Sequence, residues 1–333
     1  MTLFLWNKPK HRPCGRCVLV ALCATGLLNS DAPRPDWLRV VFLGRGTAAE
    51  DRAFTSYVNA LQRTQPNTWA RVRVDFANIS DVPEEQQPQR IAAIARTRPA
   101  ALLAPNGNVA KLATRHAPGT PLVFSTYINP VEAGIVSGME RRHESATGIW
   151  VTEQLDGKRL EVLRDAYPKV RRVAVLIDRS WNHSVNSLAP AEKAAAALGL
   201  EAQVLLADSK DEAQTLLDLP ASRDFDAWVV PRSYVAVLAL PMIVNRLRMW
   251  HKPLIVSSVG EVRSGAPLSY GVDTTFIWPT LAELTARVLG GEAASAIPVQ
   301  RPQRFLLAVR TGAETGLQPP SMSVMRRADI VIR

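Results

Sequence analysis

The feature that most constrains this chain is an alternation that runs through once and then starts again. Short β-branched runs are followed by longer amphipathic stretches. Strands are expected at residues 37–43, 70–76, 101–104 and 121–125. Helices are expected at 48–64, where Phe54, Tyr57, Val58 and Leu61 recur at helical spacing, at 84–97, with Ile91 and Ile94 on one face, and before Arg115. The pattern restarts with a helix at 157–167, stopped by Pro168, and a strand at 171–177. It continues through a helix at 190–198, a strand at 200–206, a helix at 211–219, a strand at 227–230 and a helix at 234–250. Strands at 252–257 and 268–271, a helix at 274–289 and a late strand at 305–309 complete it. Strands alternating with helices through short connections are the pattern of parallel sheets covered by helices on both faces. The expected class is α/β, with two Rossmann-like lobes of parallel strands. A strand as late as 305–309 implies that the chain passes between the lobes more than once.

The first thirty residues stand apart. They contain Lys8, Lys10, Arg12 and Arg16, no Asp or Glu, and the 12-residue apolar run Cys17–Leu28. A basic stretch followed by a short apolar one is the layout of an export signal, and the run is too short to span a bilayer, which takes about 20 residues. Residues 1–30 are therefore expected to be a signal peptide, with cleavage after Ser30. Retention as an anchor and lipidation of Cys23 are the alternatives. All three cysteines (Cys14, Cys17 and Cys23) lie in this segment, so the rest of the chain contains none, which suits an oxidising compartment. Removing four basic and no acidic residues takes the net charge from +10 to +6. The remaining basic residues are scattered and not interleaved with stacking aromatics, so no nucleic-acid partner is expected.

Familiar catalytic patterns are absent: no G-x-S-x-G elbow, no phosphate-binding P-loop and no H-E-x-x-H. The five histidines have no metal-ligand spacing, so neither a metal nor a cofactor is expected. One competing signal is Gly44-Arg-Gly46-Thr-Ala-Ala49, a G-x-G-x-x-A turn after the first strand, with Asp75 at the end of the next strand. That arrangement would suit a dinucleotide at a helix N-terminus and a rival reading as an NAD-dependent oxidoreductase.

Polar clusters recur where strands should end, and ligands of open α/β sheets bind outside those carboxyl ends. In the first half they are Gly46 and Thr47, Asn106-Gly107-Asn108 and Ser125-Thr126-Tyr127. In the second they are Trp181, Asn182 and Ser184, Arg232 and Ser233, Glu261, and Asp273. Two lobes rimmed in this way suit a cleft that closes on a small polar ligand.

These residues also carry a resemblance. Ala146-Thr-Gly-Ile149, Lys158–Leu163, Val173–Leu176, Ser264–Asp273, Arg304–Val309, Thr315–Ser321 and Arg327–Ile332 occur in the order and spacing of a known family. From about Val40 to Arg333 the chain resembles the ABC-transporter substrate-binding proteins whose members include tryptophan- and tyrosine-binding proteins. The resemblance implies the type I periplasmic binding fold, with three crossovers joining the lobes near 151–153, 273–275 and 298–302. Lobe 1 would comprise 37–152 plus 274–298, and lobe 2 would comprise 153–273 plus 299–333. It implies a monomeric periplasmic protein, not an enzyme, that delivers an amino-acid-like or carboxylate ligand to an inner-membrane ABC permease. A ligand-sensing module for a signalling partner is the third reading. Ligand contacts would come from the fifteen rim residues named above, with Asp273 facing an amine or hydroxyl and Tyr127 and Trp181 stacking on an apolar part. The chain departs from the family at Pro105–Asn108, Asp178–Trp181 and Arg232-Ser233. Arg179 and Arg232, as a pair at the cleft, favour an anionic ligand.

Overall fold

The apolar runs become the strands of two separate sheets. The computed structural model describes residues 37–139, 145–151, 155–179, 188–312, 316 and 319–333. The first sheet has five strands: β1 (Leu38–Gly44), β2 (Val72–Asn78), β3 (Ala101–Ala104), β4 (Leu122–Thr126) and β5 (Ala146–Trp150). Their order is β2-β1-β3-β4-β5 and every pair is parallel. The second has seven: β6 (Arg172–Ile177), β7 (Glu201–Leu206), β8 (Ala227–Val230), β9 (Leu254–Val256), β10 (Leu268–Val272), β11 (Phe305–Arg310) and β12 (Ile330–Ile332), in the order β12-β11-β10-β9-β8-β6-β7. From β6 to β10 the winding repeats that of β1 to β5, with the order reversing beside the first strand of each half. That reversal is where an open sheet leaves a crevice at its carboxyl edge.

The expectation of wholly parallel sheets needs one correction. β11 runs antiparallel to β10, with Leu268 opposite Val309 and Val272 opposite Phe305. The chain enters β11 from the first half rather than through a crossover helix on the second sheet, so it arrives at the opposite end.

The inner strands of each sheet are buried on both faces, which is why they read as unbroken apolar runs, whereas the partly exposed edge strands β2 and β7 carry polar residues among the apolar ones. The longer helices of the first half are α1 (Arg52–Thr64), α2 (Gln87–Arg96) and α3 (Gly107–His116). Those of the second are α4 (Asp156–Ala166), α5 (Leu188–Ala197), α6 (Lys210–Asp218), α7 (Tyr234–Met249) and α8 (Val259–Arg263), followed by α9 (Ile277–Leu289) and α10 (Met322–Arg327). On one face of the first sheet, Val41, Leu43, Leu102 and Phe124 meet Ile91 of α2 and Val109 and Ala113 of α3. On the other, Val40, Phe42, Leu103 and Val123 meet Tyr57 and Leu61 of α1 and Ile277, Leu281 and Leu284 of α9. The late helix α9 therefore belongs to the core of the first sheet, where the Tyr57 hydroxyl donates to Thr285 Oγ1 at 3.0 Å. The chain then returns along β5, where Gln300 N donates to Gly148 O at 2.8 Å and Gln300 O accepts from Trp150 N at 2.9 Å. Arg301 lies over the Trp150 ring, 4.5 Å from its centroid.

Trp37–Arg333 forms one compact unit. Among the described residues no helix is long and apolar enough to cross a membrane. The expected signal segment, with Cys14, Cys17 and Cys23, lies outside the described residues.

Candidate functional site

The carboxyl ends of the strands bring most of the expected residues to two facing rims, and the reason is largely helix capping. A strand that turns straight into a helix leaves the first N–H groups of that helix without partners, and short polar side chains supply them. Asn106 caps α3, accepting from Val109 N at 3.0 Å. Ser233 caps α7, accepting from Ala236 N at 3.2 Å. Ser258 and Glu261 form a reciprocal capping box on α8.

Each expected contact has a definite local setting. Gly46 has a φ of +66°, which favours glycine, and Thr47 donates its hydroxyl to Glu50 at 2.7 Å. Gly107 and Asn108 form the first turn of α3. Thr126, fully buried, accepts from Ile128 N and donates to Ile128 O, both at 3.1 Å. Ser125 is buried beside it. The Glu261 carboxylate is held by its own loop, accepting from Ser257 N at 3.0 Å and Ser258 N at 2.7 Å. Asp273 is buried and accepts from Thr275 N at 3.1 Å and Thr275 Oγ1 at 2.6 Å, with Arg304 Nη1 at 3.5 Å. Trp181, Asn182 and Ser184 lie outside the described residues.

The rims meet where an arginine lies over a tyrosine ring. The Arg232 guanidinium, at the end of β8, lies 4.8 Å from the centroid of the Tyr127 ring, at the end of β4. The expected partner of Arg232 behaves differently. Arg179 is drawn to the exposed edge of the second sheet by Asp208 and Glu212, and its backbone N–H also donates to Asp208. The arginine pair at the cleft is thereby corrected to a single arginine. Beside it, Asp178 is buried, with Val235 N at 3.4 Å from Oδ2.

The G-x-G-x-x-A turn is occupied by protein. Asp51 caps α1, accepting from Phe54 N and Arg45 N, both at 3.0 Å, so a carboxylate already sits where a pyrophosphate would. A Cβ at Gly44 would lie 2.2 Å from the Phe76 ring, so this glycine serves close packing. Asp75 is ion-paired with Arg39 at 2.6 Å and Arg73 at 2.7 Å, which leaves it poorly placed to read a ribose. Among the described residues no group of three His, Cys, Asp or Glu is placed to hold a metal.

Sequence reasoning missed a buried ion pair beneath the second sheet's strand β10. Arg159, fully buried, donates from Nη1 to Asp156 at 2.8 Å and from Nε to Tyr270 O at 2.9 Å, fastening α4 to the middle of β10. Burial pushes the Asp156 carboxyl up, against the pull of Arg159. The signal was present in Lys158-Arg159-Leu160, but a charged residue at a helix start reads as solvated until its neighbours are known. A pocket of about 490 Å³ lies where the chain passes between the sheets, lined by Asp273, Phe276, Glu283, Arg287, Arg301 and Arg304. Of the expected contacts only Asp273 lines it, so it is distinct from the strand-end rims, and the capping geometry and topological switch points favour the rims.

Comparison with known proteins agrees with the fold and the winding. The family model for ABC transporter substrate binding proteins matches residues 49–318. The tyrosine-binding protein of Clostridioides difficile is 26% identical over 255 residues, covering 75% of this chain and 71% of that protein. A crystal structure of a conserved domain protein from Vibrio cholerae superposes with a TM-score of 0.73 at 17% identity, covering 90% of this chain and 100% of that one. A Streptococcus pneumoniae ABC domain in complex with L-Trp gives 0.71 at 17% identity, covering 89% and 100%.

Proposed function

The chain belongs to the ABC transporter substrate-binding protein family, and from that premise we propose that it is a periplasmic, monomeric, non-enzymatic binder of an amino-acid-like or carboxylate solute. Members of this family are extracytoplasmic proteins that capture a small molecule and serve a transporter permease. The observation that carries the reading is the meeting of two equivalently wound strand-end rims at Arg232 and Tyr127. A small solute between such rims would be enclosed by rotation at the crossovers near 151–153, 273–275 and 298–302. The N-termini of α3 and α7 offer N–H groups and partial positive charge to a carboxylate. Tyr127 supplies an apolar surface. The relatives named for tyrosine and tryptophan support an amino-acid-like ligand. The engaged Asp51 and Asp75 argue against the dinucleotide reading.

The test is a thermal-shift screen of the protein against amino acids, organic acids, sugars and nucleotides. A cognate solute at 100-fold excess over Kd stabilises by about 2.7 kcal/mol, equivalent to several degrees in Tm. Stabilisation by an amino or organic acid is expected. Stabilisation by NAD alone would overturn the proposal.

A further inference from the structure

We infer that Arg232 reads an oxyanion of the solute, a carboxylate, and couples its capture to the meeting of the two lobes. The inference rests on the solute-binding reading above and names the ligand class of that site. Arg232 follows the end of β8 and directly precedes the Ser233 cap, and its guanidinium lies 4.8 Å from the Tyr127 ring centroid. Tyr127 follows β4 in the other sheet. The contact therefore spans the cleft.

A ring attracts a guanidinium through its charge and offers no carboxylate to take its hydrogen bonds, so an arginine held over a ring still has five planar N–H donors to place. Among the described residues no carboxylate lies within ion-pair distance of Arg232, whereas Arg179, Arg246 and Arg287 each have one. The acids at neighbouring strand ends are engaged locally. Asp178 lies beside Val235 N, Glu261 is bound by Ser257 N and Ser258 N, and Asp273 by Thr275. Among the described residues the rim thus presents a half-buried cation held against a ring, with no carboxylate to take its N–H donors. A planar oxyanion accepting two parallel N–H bonds is its chemical complement. Because the ring that holds the guanidinium sits on the opposite lobe, the donors are positioned only when the lobes are together. Anion binding and closure then reinforce each other.

The experiment is calorimetric titration of the wild type, R232Q, R232K and Y127F. The probes are L-glutamate against L-glutamine, L-tyrosine against L-tyrosinamide and succinate against succinamate, with inorganic phosphate, D-glucose and putrescine alongside. In the wild type a carboxylate should bind at least roughly tenfold tighter than its amide. That ratio should collapse toward one in R232Q, survive in part in R232K and persist in Y127F, which keeps the ring. Small-angle scattering without any probe should show R232Q and Y127L more extended than the wild type, while melting curves report whether each variant is folded. Phosphate binding that is lost in R232Q keeps the oxyanion site but replaces the carboxylate. An undiminished carboxylate preference in R232Q overturns the inference. Binding of D-glucose or putrescine alone overturns it too, yet leaves the solute-binding reading standing. Failure of every probe to bind the wild type overturns both.

Discussion

Single atoms set tight limits at the rim. A Cβ built on Gly107 would lie 2.5 Å from Oγ1 of the fully buried Thr126 and 2.8 Å from Cγ1 of the half-buried Ile128. Gly107→Ala should therefore destabilise by about 1–3 kcal/mol through overpacking, seen as a lower urea midpoint. An unchanged midpoint would mean that the rim is looser than this geometry. Charge sets limits as well. Asp226 accepts from Arg171 N at 2.8 Å and Arg172 N at 2.9 Å, tying the turn before β8 to the start of β6. Burial pushes its carboxyl up, but those N–H groups and the nearby Lys252 and Arg172 charges outweigh burial and hold it below the usual 3.8. A carboxyl whose folded value is depressed contributes stability above its unfolded value, and that contribution is lost as pH falls through the folded value. The Tm gap between the wild type and D226N should be full at pH 6 and shrink below about pH 4. A gap constant from pH 6 to pH 3 would contradict this.

At the scale of elements, the caps explain both what the sequence disclosed and what it concealed. Strands 101–104 and 227–230 fall where expected because each is a continuous apolar run bounded by polar turns. The strand β5 and the short elements α8, α10 and β12 were not anticipated. β5 contains Gly148, where a Cβ would lie 2.1 Å from Phe124 O, and only the neighbouring strand makes that glycine intelligible. β12 is three residues long and exists because β11 gives it a partner. The direction of β11 was equally hidden, since a strand pattern has no polarity. The rim residues were legible as positions, because polar residues gather where strands end. Their roles were not, because a cap and a ligand contact use the same side chains. Arg179 and Arg232 look alike in sequence, and what separates them is Asp208 and Glu212, some thirty residues beyond Arg179. The cap at α7 is directly testable. Ser233→Ala should cost about 1 kcal/mol, whereas Ser233→Asp, an equally good cap, should retain stability. Equal stability of all three proteins by chemical unfolding would remove the capping role.

At the scale of the whole molecule, the two sheets do not divide at a single point in the chain. Helix α9 is encoded after β10, yet Ile277, Leu281, Leu284 and Val288 complete the face of the first sheet that carries Val40, Phe42 and Val123. A fragment ending at Asp273 would leave that face open to water and would also lack β11 and β12. It should show no cooperative melting transition and no near-ultraviolet dichroism, in contrast to the full chain. A cooperative, native-like transition in the fragment would refute the interdependence.

The same helix imposes an order on synthesis. Tyr57 must wait for Thr285, a partner 228 residues downstream, so the sheet begun first cannot be finished until most of the chain has been made. Until the ribosome has passed residue 289, the nascent chain carries a half-covered sheet whose apolar face is a target for chaperones and for other unfinished copies. Contacts of such long range also slow folding, because loop closure precedes any packing gain. The late helix thus acts as a timer, holding the early part of the chain short of its native state until nearly all of it has been made.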